Sequence, residues 1–350
     1  SKSAPTVKSI PYGMFGESWG QAATLRAPPG PPAAVDSGTP IHRIPVAVWL
    51  AIKRELRDLL SLWLVPGLAA LLPWHWCLRL YWWLARSRLL MREEVAGSRG
   101  GRQFLGLPPG DAVFDRRFRF GFLLEHADVF RALGRGWRGL ARTMPLQSAA
   151  GIEASGGLCF FFNFNQGLPA LATLRGAGFD VYLVYRSLSA RPPGVGYLRY
   201  AYMRLRLHMV AVVCGNQGIG TGGARERIAQ TIAGGGLVCV AADTPPRPGT
   251  GLVPVRFPGD RPAWWRSGVP KLALQLPGPR RSFTVKLDWD TRQRVLELTT
   301  LAPTERLSEL VQTLNEEFLT TLERQGELWF YWPGPQGFFH FPEGARLDQD

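Results

Sequence analysis

Cysteine and histidine are scarce in this chain, which has four cysteines and five histidines among 350 residues. The cysteines lie far apart and form no CxxC pair, so neither a zinc knuckle nor a dithiol redox motif is supported. Three of them, Cys159, Cys214 and Cys239, lie in or next to apolar runs, which predicts buried thiols in a reducing compartment. We expect no metal and no other cofactor.

Several catalytic motifs are also absent. No GxSxG elbow occurs, so a serine hydrolase has no support. The glycine-rich stretch GNQGIGTGGARERI, Gly215 to Ile228, matches neither GxxxxGK[ST] nor a complete GxGxxG fingerprint, and it is interpreted as a flexible loop. His126 and Asp128 lie two positions apart on a predicted helix, where they face different directions and are poor catalytic partners.

Acidic residues are too few to balance the basic ones: 27 against 41 gives a net charge of +14. A basic surface attracts a polyanion, either nucleic acid or an anionic lipid leaflet. The 13 tryptophans favour lipid, because tryptophan beside arginine is typical of a membrane interface. A nucleic-acid-binding protein remains an alternative that rests on charge alone.

The N-terminal region has no sustained period. Residues 1–42 are rich in Pro, Gly and Ala (RAPPGPPAAVDSGTP) and predict an extended or disordered arm. The opening SKSAPTVKSIPYG lacks the apolar core of a cleavable signal peptide, so we expect the protein on the cytoplasmic side of a membrane.

Residues 43–98 predict a membrane-anchoring segment. No charged residue interrupts Leu59 to Leu78, which is about the length of a membrane span. Pro66 and Pro73 argue against one straight helix, because each removes a backbone donor. A kinked span, a re-entrant hairpin, a helix in the interface and a buried core helix broken by prolines all stay open.

The next stretch, HWCLRLYWWLARSRLLMRE, interleaves arginine with tryptophan and leucine. It predicts an amphipathic interfacial helix whose guanidinium groups reach lipid phosphates. The residues predicted to form the anchor are Trp63, Trp74, Trp76, Arg79, Trp82, Trp83 and Arg86.

Residues 99–334 predict an α/β domain, and residues 335–350 a tail. Apolar runs that suit strands alternate with helical segments, which predicts a mixed, largely parallel sheet flanked by helices. The predicted strands are GGLCFFFNF, FDVYLVYR, HMVAVVCG and LVCVAAD, followed by a hairpin of SFTVKLDWD and RVLELTTLA.

The order of these elements resembles the bacterial lipid A late acyltransferases, the lauroyl and myristoyl transferases of the lysophospholipid acyltransferase superfamily. Four signals carry the resemblance between residues 45 and 333: the apolar anchor with its Arg-rich helix, LCFFFNFNQGLPALATLRGAGFDVYLVYR, ARERIAQTIAGGGLVCVAAD and LNEEFLTTLERQGELWFYW. It implies an acyltransferase-like fold at the cytoplasmic face of a bacterial inner membrane, with an acyl carrier or acyl thioester as a possible partner.

In that family the first strand delivers an H-x4-D/E motif, whose histidine is the general base and whose acid orients the ring. Aligned on VYLVYR, the histidine position falls on Asn163 and the acidic position on Leu168. Asparagine does not accept a proton from a hydroxyl, and leucine does not hydrogen-bond. None of the five histidines has an acid five positions later, so another register does not restore the motif.

Other family positions are kept. The resemblance places Arg186 and Asp243 at the border of the active site, and it makes Asp243 the first suspect for a replacement base. The segment from residue 186 to 206 predicts a phosphate-binding surface, equally compatible with a solvated face, formed by Arg186, Arg191, Arg199, Arg204 and Arg206.

Two functional hypotheses follow. The preferred one is a catalytically degenerate acyltransferase homologue that binds lipid, or a protein partner in a membrane-associated assembly. The alternative is an active acyltransferase that moves an acyl chain from a thioester carrier to a lipid or glycan hydroxyl with a non-standard base.

Overall fold

The computed structural model describes residues 46–148, 153–165, 167–186, 188, 190–215, 217–221 and 223–348. The predicted arm, residues 1–42, lies outside them. The helices are α1 (Val46–Asp58), α2 (Val65–Leu71), α3 (Trp74–Leu84), α4 (Arg92–Phe104), α5 (Ala112–Ala141), α6 (Gly167–Gly176), α7 (Tyr197–Val213), α8 (Ala224–Ala233), α9 (Gly268–Gln275) and α10 (Leu307–Gln325). The strands are β1 (Leu146–Ser148), β2 (Gly157–Phe161), β3 (Val181–Tyr185), β4 (Gly218–Gly220), β5 (Leu237–Ala241), β6 (Gly251–Phe257), β7 (Arg261–Arg266), β8 (Arg280–Leu287), β9 (Arg294–Thr300) and β10 (Arg346–Leu347).

The main sheet has seven strands in the order β1-β9-β8-β2-β5-β3-β4. Five neighbouring strands, from β8 to β4, run parallel to one another. Strand β9 pairs antiparallel with β8, and β1 runs parallel to β9 at the edge. The prediction of an α/β fold with a mixed, mostly parallel sheet is confirmed, including the β8–β9 hairpin.

Helices cover both faces of this sheet, because alternate residues of its central strands enter two different cores. Phe160 of β2 and Val240 of β5 belong to the core that also contains residues of α8 and α10. Cys159 and Cys239 lie on the opposite face, with residues of α6 and α7. All four cysteines are buried free thiols, as the apolar context of three of them predicts.

A second sheet of three strands, β10-β6-β7, has no counterpart in the sequence prediction. Strand β6 contains Pro254, which removes a backbone donor and weakens any strand prediction. Pro254 lies opposite Trp264 in the β6–β7 pair, beyond the short stretch where β10 pairs with β6. The stretch predicted as a tail supplies β10 and buries Phe338 in the core.

The predicted strand HMVAVVCG is wrong. The chain continues as helix α7 to Val213, and Met209, Val210 and Val213 are buried at helical spacing. A short run of valines does not distinguish a strand from a buried helical turn by periodicity.

The N-terminal segment forms a helical layer rather than one straight helix. A π-helical turn, Leu59–Leu64, joins α1 to α2, and the chain turns at Leu72 and Pro73 before α3 begins. Within the part of the chain that the structure describes, no helix has both the length and the apolar character to cross a membrane.

This layer packs closely against α5 and α7 of the α/β domain. A Cβ on Gly134 of α5 would lie 3.0 Å from the backbone of Ala70 in α2, so glycine permits the approach of the two helices. The buried Asp58 carboxylate accepts two hydrogen bonds from Arg199 of α7, at 3.0 and 2.6 Å. Glu55 accepts from two backbone N–H groups in the first turn of α7, a favourable place for a carboxylate.

Candidate functional site

The candidate site lies where β2 and β5 end. The strands are parallel neighbours with Phe161 opposite Ala241, and the N–H of Ala242 donates to the carbonyl of Phe161 at 2.8 Å. Because the carboxyl ends of parallel strands meet at one edge of the sheet, Asn163 and Asp243 lie side by side.

Asp243 is bound from two sides. The backbone N–H of Asn163 lies 3.0 Å from each carboxylate oxygen, and its side-chain amide donates to one of them at 2.7 Å. The indole N–H of Trp329 donates to the other oxygen at 3.1 Å. The carbonyl of Asn163 in turn accepts from the N–H of Phe330 at 2.7 Å. Both backbone polar groups of Asn163, in the loop that follows β2, are therefore hydrogen-bonded.

Burial dominates the electrostatics of this pair. Asp243 is fully buried, which raises the pKa of its carboxyl to about 7. The hydrogen bonds from Asn163 and Trp329 favour the charged form and partly oppose that rise. A carboxyl in this range changes its protonation state near neutral pH.

No histidine completes the arrangement within the described residues. His126 lies on α5, where its Nδ1 is 2.6 Å from the hydroxyl of Tyr202, and Asp128 pairs with Arg294 instead. Burial lowers the pKa of His126 far below its ordinary value. Both residues therefore have the structural roles expected of poor catalytic partners. Among the described residues, no group of three or more His, Cys, Asp or Glu side chains is placed to hold a metal ion.

A cavity lies beside the loop that follows β2. It contains about 780 Å³ of unfilled space, including solvent at its mouth. Most of its walls are apolar, and Asn163 lines it, whereas the fully buried Asp243 does not. Apolar residues that line it include Phe161, Phe162, Phe164, Leu168, Leu171, Leu183, Val210, Phe283, Val285 and Phe330.

Leu168, at the position expected for the acid, lies on α6 and contributes an apolar wall to this cavity. The rings of Phe162 and Phe164 pack against Phe318, with centroids 5.7 and 5.8 Å apart. These contacts hold the loop without filling the cavity.

Two lining residues form an ion pair that the sequence analysis missed. Arg206 of α7 pairs with the buried Glu125 of α5, and both side chains border the cavity. The signal in the sequence is Glu125 itself, one of two acids in the otherwise largely apolar stretch FGFLLEHADVF. Asn165, also missed, lines the same cavity and carried no signal in the sequence.

The five arginines predicted to bind phosphate do not form one surface. Arg199 is buried against Asp58, and Arg206 belongs to the cavity. Arg191 donates to the carbonyl of Val195 at 2.6 Å and lies over the ring of Tyr197. Arg186 and Arg204 are exposed, as is Arg191.

The residues predicted to form the anchor divide into two groups. Trp76, Arg79, Trp83 and Arg86 are exposed. The spacing of the first three puts them on one face of α3, and Arg86 lies in the turn that follows the helix. Trp63, Trp74 and Trp82 are half-buried: the indole N–H of Trp63 donates to a carbonyl of α7, and the other two rings lie under arginines of α5.

The predicted loop from Gly215 to Ile228 contains strand β4 and the beginning of α8. Strand β4 pairs with β3 at the edge of the main sheet, so part of this stretch is regular structure.

Comparisons with known proteins assign no family to the chain: no family model matches the sequence, and no curated protein matches it.

Proposed function

We propose that this protein is a catalytically degenerate, acyltransferase-like protein that binds an acyl chain at an anionic membrane surface, the cytoplasmic face of a bacterial inner membrane. The observation that carries the proposal is the mostly apolar cavity beside Asn163, whose side-chain amide donates a hydrogen bond to Asp243. A protein partner in the same membrane assembly is compatible with this role.

The lining of the cavity suits a hydrocarbon chain. Its walls are mostly Phe, Leu and Val side chains. Transfer of a chain from water into apolar surroundings of this kind gains about 0.8 kcal/mol per methylene group. A broad, polar substrate has no comparable gain there.

The same site lacks the groups for acyl transfer by the family mechanism. Asn163 has no basic atom, and Leu168 offers no hydrogen bond to orient one. Asp243 is fully buried, and its oxygens already accept from Asn163 and Trp329. We therefore expect a bound acyl chain to remain unreacted.

One observation favours the second candidate, an active acyltransferase with Asp243 as its base. A carboxyl with a pKa of about 7 matches the range that suits general-base catalysis at neutral pH. The acceptor hydroxyl would, however, have to displace the donors that occupy this carboxylate. The binding role is preferred for that reason.

The exposed faces of the N-terminal layer support docking on lipid. On α3, Trp76 and Trp83 are 57% and 63% exposed, and the exposed Arg79 lies between them, with Arg86 in the turn after the helix. Along α1, the π-helical turn and α2, exposed apolar side chains recur every three or four residues: Trp49, Ile52, Leu56, Leu60, Leu64, Leu68 and Leu71. Indole rings beside guanidinium groups match the headgroup region of an anionic leaflet.

Displacement of a fluorescent long-chain fatty acid from the full chain tests the cavity. We expect saturable binding by the wild type. Leu171→Trp on α6 and Val210→Trp on α7 each place a large ring in the cavity, and each should weaken binding at least about tenfold. Leu347→Trp, at an exposed site on β10, is the matched control and should bind as the wild type does. Thermal unfolding of each variant checks that it is folded.

The proposal is overturned if the wild type does not bind the probe. It is also overturned if both folded cavity variants bind the probe as tightly as the control does.

A further inference from the structure

The loop after β2 contains an unusual asparagine. Asn165 has φ 54°, in the left-handed region, which asparagine adopts more readily than most residues other than glycine. It lines the cavity, two residues beyond Asn163. Backbone conformations of this kind concentrate at ligand sites, where the surrounding structure enforces them.

The side chain of Asn165 presents an unused acceptor. Its Oδ1 is buried, and among the residues that the structure describes it has no hydrogen-bond partner. A buried carbonyl oxygen is normally paired, so an orphaned one at a cavity wall calls for a partner from outside the protein. That partner must be a hydrogen-bond donor.

The rest of the wall restricts the kind of donor. Arg206 and Glu125 neutralise one another, so the lining offers no net charge for an ionic group. Apart from Asn165 itself and from Asn163, whose amide donates to Asp243, the lining side chains on the loop and on α6 that the structure describes are apolar, including Phe164, Leu168 and Leu171. A neutral donor on an apolar chain, a hydroxyl or an amide N–H, satisfies both conditions.

We propose that Asn165 is a specificity-determining residue, and that the cavity prefers an acyl chain with a hydroxyl or amide N–H near its polar end. The proposal rests on the proposed function, since it requires an acyl chain in the cavity. The hydroxyl or N–H of the ligand donates a hydrogen bond to Asn165 Oδ1, and no covalent step is involved.

Competition against the fluorescent fatty acid tests this preference. The competitors are one saturated fatty acid and its 2-hydroxy and 3-hydroxy derivatives of equal chain length. We expect the wild type to bind one hydroxy acid about tenfold more tightly than the parent acid, the size of one net hydrogen bond. Asn165→Gly keeps the left-handed backbone and removes the acceptor. It should lose the preference, so that the parent acid and its hydroxy derivatives compete equally well with one another.

The outcomes separate the two proposals. Equal binding of all three acids by the wild type overturns the role of Asn165 and leaves the cavity proposal standing; a water molecule then satisfies its oxygen. A preference that survives in Asn165→Gly also overturns that role. Failure of every acid to compete overturns the acyl-chain cavity, and the specificity with it.

Discussion

Asn163 and Asp243, which are 80 residues apart in the chain, share three short contacts: two from the backbone N–H of Asn163 and one from its side-chain amide. The amide thus occupies the position beside a carboxylate that a ring nitrogen would need in a histidine–acid pair. Asp243, two residues beyond the end of β5, supplies a carboxylate at this place, although the H-x4-D/E pattern would put the acid at position 168. The site is therefore one substitution away from a base held by a carboxylate.

Asn163→His should create such a pair. The ring Nδ1–H would donate to Asp243, and Nε2 would face the cavity that residue 163 lines. We expect hydrolysis of a long-chain acyl thioester to rise about 100-fold above the wild-type background, the lower range of general-base effects. The control is the double variant with Asp243→Asn, which should return to background. A folded Asn163→His protein that binds the chain but shows no increase would contradict this prediction.

The stability of the wild type should depend on pH through Asp243. Its folded pKa of about 7 lies above the ordinary value of 3.8, so the folded state binds more protons than the unfolded state between these two values. The free energy of unfolding should therefore fall as pH rises from about 4 to about 7, by up to about 4 kcal/mol from this group. Urea unfolding at a series of pH values measures the change.

Asp243→Asn isolates this contribution, because the amide does not titrate. Asp128, whose pKa burial raises to about 6, adds a change of the same sign that the variant retains. The difference between wild type and variant should therefore be confined to the Asp243 part. An identical pH dependence in the two proteins would show that Asp243 is already ionised at low pH.

Binding to lipid should depend on the exposed tryptophans of α3. The wild type should float with vesicles containing phosphatidylglycerol. The double variant Trp76→Glu, Trp83→Glu should not float, because each substitution replaces an exposed indole with a negative charge that anionic lipid repels. Leu347→Glu, on exposed β10, is the control and should float normally. Retention on RNA but not on these vesicles at the same ionic strength would favour the nucleic-acid alternative.

The ion pair of Asp128 with Arg294 is fully buried and joins α5 to β9, with contacts of 2.6 and 3.0 Å. Asp128→Ala should lower the free energy of unfolding by about 3–5 kcal/mol, because it leaves a guanidinium group buried without its carboxylate. Arg256→Ala breaks the exposed pair with Asp260 and should cost about 1 kcal/mol or less. Equal losses in the two variants would rule out burial as the cause.

The parts of the fold that were predictable from the sequence are those with strong local signals. β2, β5 and the helix ending at Ala233 were recognisable from their apolar runs and the triple glycine that follows that helix. The continuation of α7 through HMVAVV was not predictable, because a short apolar run can be buried either as a strand or as a helical turn. The β6–β7 hairpin was obscured by Pro254.

The candidate site shows the same division. The departure of Asn163 from the histidine of the H-x4-D/E motif is readable in the sequence, because a motif has fixed spacing. Its contact with Asp243 arises from the pairing of β2 with β5, a long-range relation that spacing along the chain does not encode. The lining residues Glu125 and Asn165 come from different elements, and only the packing of α5 against the loop brings them to one cavity.

Whether the cavity holds an acyl chain without transferring it is tested by incubating the purified wild type with a labelled long-chain acyl thioester and a bacterial lipid extract, and following both the label and the thioester. A chain-binding protein without a base should hold the labelled chain, release it to competing fatty acid and leave the thioester intact. Formation of a labelled lipid product by the wild type, lost in Asp243→Asn, would contradict the account and establish acyl transfer.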